Sequence, residues 1–112
     1  MSIAGDLIRG HTDAIILARL FQSDSYGYEI NKTISTMSAG RFELKEATLY
    51  TAFKRLEDTG CITSYWGDSG AGTRRRYYTI TANGRDACHR LLTEWEETKE
   101  IMDQLLKREV IL

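Results

Sequence analysis

The sequence predicts a mainly α fold with one small β-hairpin, an α+β arrangement in which three helices precede the hairpin and a long helix follows it. Three observations predict it. Apolar residues recur at helical spacing in three stretches before Gly60. The period then shortens into two β-branched and aromatic runs around a glycine-rich segment. A last helical stripe runs from Ala82 to about Lys107. With 112 residues, 42% hydrophobic and 28% charged, the chain suits one compact unit with one core. Domains of this size are marginal in the surface they bury, so an apolar helix face left over at one end is expected to seek a partner chain.

Helix one is expected at about Gly10 to Gln22, inside the broad apolar stripe from Leu7 to Phe21. Ser23, Asp24 and Ser25 then form a polar break able to cap free amides, and Ile30, Ile34 and Met37 mark a narrow, amphipathic helix two. After Ser38-Ala39-Gly40, the extended stretch Arg41 to Leu44 leads into helix three, Lys45 to Thr59, with Leu49, Ala52, Phe53 and Leu56 on one face. Gly60 ends it, because glycine reaches the left-handed conformation past a helix end without a side-chain clash. Ile62 to Trp66 and Arg76 to Ile80 are the hairpin strands, and residues 67–73 are its tip. Thr81 caps the final helix, whose seam is Cys88, Leu91, Trp95, Thr98, Met102 and Leu105, with Leu92, Ile101 and Leu106 beside it. That apolar face is wider than one packing partner requires.

The net charge of -1 gives no global signal for nucleic acid, so any basic surface must come from segregation. Segregation is present. From Arg41 to Arg85 eight bases stand against five acids, and from residue 86 to residue 109 seven acids stand against four bases. Cys61 and Cys88 make no disulfide framework, no secretory signal pattern opens the chain, and no apolar run approaches the ~20 residues that cross a bilayer. A cytoplasmic protein is the expectation.

Three helices, a hairpin and a long helix, in that order, make the winged form of the helix-turn-helix, in which the helix before the hairpin enters the major groove. Thr48, Thr51 and Arg55 recur on helix three away from Leu49 and Phe53, with Tyr50 and Lys54 on the flanks. Hydroxyls and guanidinium groups are what reading base edges and gripping phosphates require. Arg74-Arg75-Arg76 follows the glycine-rich tip, so arginines on the strand faces can reach a phosphate or a minor groove, and Tyr77-Tyr78 add hydroxyls. The competing structural readings are a solvated helix face and a charged edge strand that blocks aggregation.

Tyr26-Gly27-Tyr28-Glu29-Ile30, Ala47 through Glu57, Ser64-Tyr65-Trp66, Arg74 through Tyr78 and Thr79-Ile80-Thr81-Ala82-Asn83-Gly84 strongly resemble the PadR family of bacterial transcriptional regulators, over nearly the whole chain. The sequence is most similar to the short, multidrug-sensing branch, sharing its alanine at 47 and threonine at 51 where other members have glycine and proline. The resemblance implies a homodimeric repressor of an inverted-repeat operator, released by a small molecule. It divides the chain into a winged helix-turn-helix at 1–80, with the N-terminal helix near the dimer interface, and a dimerisation helix at 81–112. Carried over, Tyr26 and Tyr28 touch the DNA backbone, Thr48, Tyr50, Thr51, Lys54 and Arg55 the groove, and Arg74 and Arg75 the wing phosphates.

Trp95, mid-helix on the seam, would meet its own copy across a two-fold axis, and two such rings could hold a flat aromatic ligand or simply anchor the dimer. Leu7, Ala14, Leu17 and Leu91 match the positions lining such a pocket in the family. Lys99, one turn from Trp95, stands where that branch carries an acid, which argues against cationic drugs. Cys88, Leu91, Trp95, Met102 and Leu105 are the expected dimer contacts.

No cofactor, metal site or catalytic group is expected. Cys88 and His89 are neighbours pointing about 100° apart on a helix, with no second ligand pair. His11 has no partner acid at helical spacing, Glu94, Glu96, Glu97 and Glu100 form a solvated face, and Gly67, Gly70 and Gly72 precede a strand rather than a helix. Two readings compete with the regulator: a winged-helix adaptor that binds a protein through the last helix without specific DNA binding, and a ligand-storing module. Salt-insensitive partner binding without DNA retention would mark the adaptor.

Overall fold

Isoleucine, leucine and phenylalanine side chains spaced three and four residues apart pull three helices around one core. A computed structural model describes residues 3–68, 72 and 74–107. Its elements are α1 (Ile3–Arg9), α2 (Thr12–Gln22), β1 (Ser25–Tyr26), α3 (Gly27–Met37), α4 (Glu46–Asp58), β2 (Ile62–Asp68), β3 (Arg74–Ile80) and α5 (Ala82–Lys107). Ile16, Leu17 and Leu20 of α2, Ile30 and Ile34 of α3, and Leu49, Ala52, Phe53 and Leu56 of α4 are buried together. Ile62, Tyr78 and Ile80 close the core from the sheet. Burying each large aliphatic side chain contributes roughly 1.5–3 kcal/mol, so this face fixes how the helices sit.

The strands run antiparallel in the order β1-β3-β2. The winged architecture and the expected order of helices, hairpin and long helix are both present, with two additions. The segment before Gly10 is a helix of its own, α1, separated from α2 by a turn in which His11 N–H bonds the Ile8 carbonyl at 2.8 Å. Ser25, expected in a polar cap, instead pairs in register with Tyr78 as part of β1. Two residues are too few to show a strand period, and the free edge of β3 supplies their partners. Accordingly α3 starts without a side-chain cap, and the buried Ser25 hydroxyl bonds Glu29. Met37, expected on the inner stripe of α3, is 64% exposed.

The connection between α3 and α4 is held by side chains. Asn31 Nδ2 donates to the Leu44 carbonyl at 2.7 Å, and Leu44 N–H donates to Asn31 Oδ1 at 2.8 Å. Ser38 Oγ accepts from Phe42 N–H at 3.0 Å. These bonds seat Phe42 and Leu44 in the core and aim α4 outward. Gly60 follows α4 at φ 77°, the left-handed conformation expected there. Thr81 accepts at Oγ1 from Gly84 N–H at 3.0 Å, capping α5 as its residue type suggested. Within α5 only Gly84 and Ala87 are buried, and past Leu91 every described residue is exposed.

Candidate nucleic-acid interface

Successive residues of a helix turn by about 100°, so the outward direction of α4 lies opposite the buried set Leu49, Ala52, Phe53 and Leu56. Ala47, Thr51, Lys54 and Asp58 point that way, and all four are exposed. Thr48 and Arg55 occupy the flank toward α2, while Tyr50 occupies the flank toward α3. The Tyr50 hydroxyl lies so near Gly27 that a Cβ there would approach it to 2.7 Å, so the glycine admits the ring against the first turn of α3. Tyr28, in that turn, is 70% exposed. Lys54 lies 3.9 Å from Asp58, both in solvent.

The donor-rich face expected from Thr48, Thr51 and Arg55 is therefore rotated. Its centre is Thr51 and Lys54. Arg55 gives its guanidinium to Asp13 of α2, with Nε 3.2 and 3.1 Å from the two carboxylate oxygens and Nη2 bonded to Oδ1. That hydrogen bond raises the Arg55 pKa, with burial opposing it. Nothing in the spacing of α4 marks this pairing, because Asp13 lies 42 residues earlier.

In the wing, pairing of Trp66 with Arg76 and of Asp68 with Arg74 puts those side chains on one face. The Arg74 and Arg76 guanidinium groups lie 5.3 and 5.9 Å from the centre of the Trp66 ring, and Arg76 also pairs with Glu57 at the end of α4 at 3.6 Å. Arg75 projects from the other face, 4.4 Å over the ring of Tyr26. Tyr26 packs edge-on against Tyr77 at 5.4 Å, and Tyr77 stacks on Tyr65 at 5.6 Å. Arg75 and Tyr26 thus share one face of the sheet, and all three wing arginines are exposed. Trp66, expected in the first hairpin strand, is set among these arginines by the two-residue alternation across the hairpin. Residues 69–71 and 73 of the expected tip lie outside the described residues.

A groove of about 450 Å³ runs between α2, α3 and α5. Ala14, Leu91 and Trp95 line it, as expected, together with Ile8, His11, Ile15, Met37, Phe42, Cys88 and Leu92. Three expected lining residues are elsewhere. Leu17 is 1% exposed in the core, since it turns about 60° from Ala14 toward α4. Leu7 is 69% exposed on α1, and Lys99 stands beside Trp95, 5.9 Å from the ring centre, but pairs with Glu96 at 3.1 Å. His11, set aside as chemistry, packs edge-on against Trp95 at 5.1 Å. Of the expected dimer contacts, Cys88 and Leu91 pack on the protomer's own core, whereas Trp95, Met102 and Leu105 are exposed. Burial raises the Cys88 thiol pKa. Among the described residues, no His, Cys, Asp or Glu cluster could hold a metal ion, and no helix is long and apolar enough to cross a membrane.

A helix with an exposed hydroxyl and lysine face, set beside a basic hairpin on a three-helix frame, defines a winged helix-turn-helix DNA-binding protein. The transcriptional regulator PadR-like family matches residues 16–90. The chain belongs to that family, whose members are transcription regulators and not enzymes. It is 45% identical over 105 residues to an uncharacterized protein of Lysinibacillus sphaericus, covering 94% of this chain and 96% of that one. It superposes on a transcriptional regulator from Clostridium thermocellum with a TM-score of 0.86 at 45% identity, covering 95% of this chain and 100% of the other. A PadR family transcription regulator from Clostridium difficile gives a TM-score of 0.74 at 38% identity, over 86% and 98% of the two chains.

Proposed function

We propose that the protein is a homodimeric repressor of an inverted-repeat operator, working in the cytoplasm and released by a planar aromatic or drug-like molecule bound beside Trp95. The observation that carries this reading is the course of α5. Its first turns pack at home through Ala87, Cys88 and Leu91, and the same apolar stripe then continues into solvent through Leu92, Trp95, Met102 and Leu106. A stripe of that length, left open on a chain this small, is the signature of a self-complementary interface. A second copy related by a two-fold axis would cover the stripe, bring two Trp95 rings together and set two α4 helices at operator half-sites.

Thr48, Tyr50, Thr51 and Lys54 would enter the groove. Tyr26, Tyr28, Arg74 and Arg75 would grip the flanking backbone, Arg75 stiffened by the Tyr26 ring beneath it. Ala14, Leu91 and Trp95 supply an apolar wall for a flat ligand, in keeping with the multidrug-sensing branch that the sequence resembles.

The test is fluorescence anisotropy of a duplex carrying the gene's own upstream region, titrated with protein, then salt, then planar aromatic compounds. Nanomolar, salt-sensitive and sequence-selective binding that a ligand reverses is the expected result. Equal affinity for random duplex would end the operator reading.

A further inference from the structure

Arg55 belongs to the helix that faces DNA, yet its guanidinium is turned back to α2 and held by both oxygens of Asp13. The two side chains also form part of the wall of a hollow of about 370 Å³ with mixed polar and apolar lining, which His11 and Trp95 also border. Two forked bonds fix the direction of a guanidinium as well as its distance, which a lysine ammonium cannot do. The pair is partly exposed, so its contribution to overall stability is small. What it does fix is the position of the flank of α4 over the N-terminal turns of α2.

We infer that Arg55 and Asp13 form a positioning clamp that couples the Trp95 hollow to the DNA-facing helix, and that Arg55 acts through this clamp and not by contacting DNA. The inference rests on the assignment of α4 to the groove. Anything that shifts Asp13 on α2, or His11 just before that helix, displaces Arg55, and with it the angle at which Thr51 and Lys54 meet the groove. Linkage makes the coupling reciprocal: DNA held by α4 must alter the surroundings of Trp95.

The test uses Asp13→Asn, Arg55→Lys and the charge swap Asp13→Arg with Arg55→Asp, each in full-length protein. For a clamp, Asp13→Asn and Arg55→Lys each weaken selective DNA binding at least tenfold, leave the salt dependence unchanged, and the swap restores most of the loss. For a direct phosphate contact the outcome inverts. Asp13→Asn would then free the arginine and tighten binding, Arg55→Lys would be nearly neutral, and the swap, which puts an acid on α4, would not restore binding. That result overturns the inference.

Coupling is read separately in a Trp66→Phe background, where Trp95 is the only tryptophan. Adding the duplex shifts Trp95 emission, and Asp13→Asn removes the shift at DNA concentrations that still saturate the protein. Emission that never responds to bound DNA overturns the coupling. If the parent protein shows no selective DNA binding, the operator reading fails, and the clamp is decided by amide exchange. Protection across α4 then falls in Asp13→Asn and returns in the swap; protection unchanged in both variants overturns the clamp.

Discussion

Phe53 of α4 and Tyr78 of β3 stack with ring centroids 3.9 Å apart and planes inclined by 17°. One ring pair thus joins α4 to the wing strand, and both rings are buried. Burial pushes the Tyr78 phenol up from its ordinary value, with Arg76 opposing that rise. An acid whose folded pKa is raised loses its stabilising effect as pH climbs, because the unfolded chain ionises first, near pH ~10. Stability should therefore be constant in this respect below pH ~10 and fall above it. Tyr78→Phe should flatten that alkaline fall in denaturant titrations across the same range, and curves of identical pH dependence would contradict the assignment.

Thr51 and Lys54 head the outward face of α4, so their losses should differ in kind. Lys54→Gln should weaken binding to every duplex alike and lower the salt slope by about 0.9, as expected for one lost phosphate contact. Thr51→Ala should cost on the order of 1 kcal/mol on the selected sequence and leave random duplex unchanged. Anisotropy titrations at several salt concentrations separate the two, and a uniform loss from Thr51→Ala would remove it from base reading.

Gly84 enters α5 directly against the chain before β2, where a Cβ would lie 2.0 Å from the Cys61 carbonyl oxygen and 2.7 Å from Ile80 Cγ1. Backbone cannot yield as a side-chain tip can. Gly84→Ala should destabilise the fold by on the order of 3 kcal/mol despite alanine's better helix propensity. Thermal unfolding measures this, and a stabilised variant would show that α5 can shift freely on the sheet.

Met102→Glu and Leu105→Glu place a charge on the exposed distal stripe of α5 without touching the described core. Each should convert the proposed dimer to a folded monomer in sedimentation velocity, with helical content retained by circular dichroism. Operator affinity should fall with it, since one half-site loses its neighbour. A dimer unaffected by both changes would place the interface elsewhere.

Helices α2 to α5 and the hairpin were legible in the chain because their signals are local, whereas the break that makes α1 a helix of its own was not. Leu49, Ala52, Phe53 and Leu56 announce α4 by spacing, Gly60 its end and Thr81 the start of α5. The resemblance spread over Tyr26 to Gly84 was equally local, since each motif is contiguous. By contrast β1 is two residues long and exists only because β3 offers a free edge, so no periodicity could reveal it.

The sequence by itself determined the order of α2, α3, α4, the hairpin and α5, the family, and the segregation of basic residues toward α4 and the wing. Tertiary structure decided which way each side chain serves. Leu17 went to the core and Ala14 to the groove, Arg74 and Arg76 to the Trp66 face and Arg75 to Tyr26, and Arg55 to Asp13 across 42 residues. The reason is physical: hydrophobic periodicity fixes a helix's buried face, but a charged group at the flank of that face takes whichever partner packing brings within bonding distance.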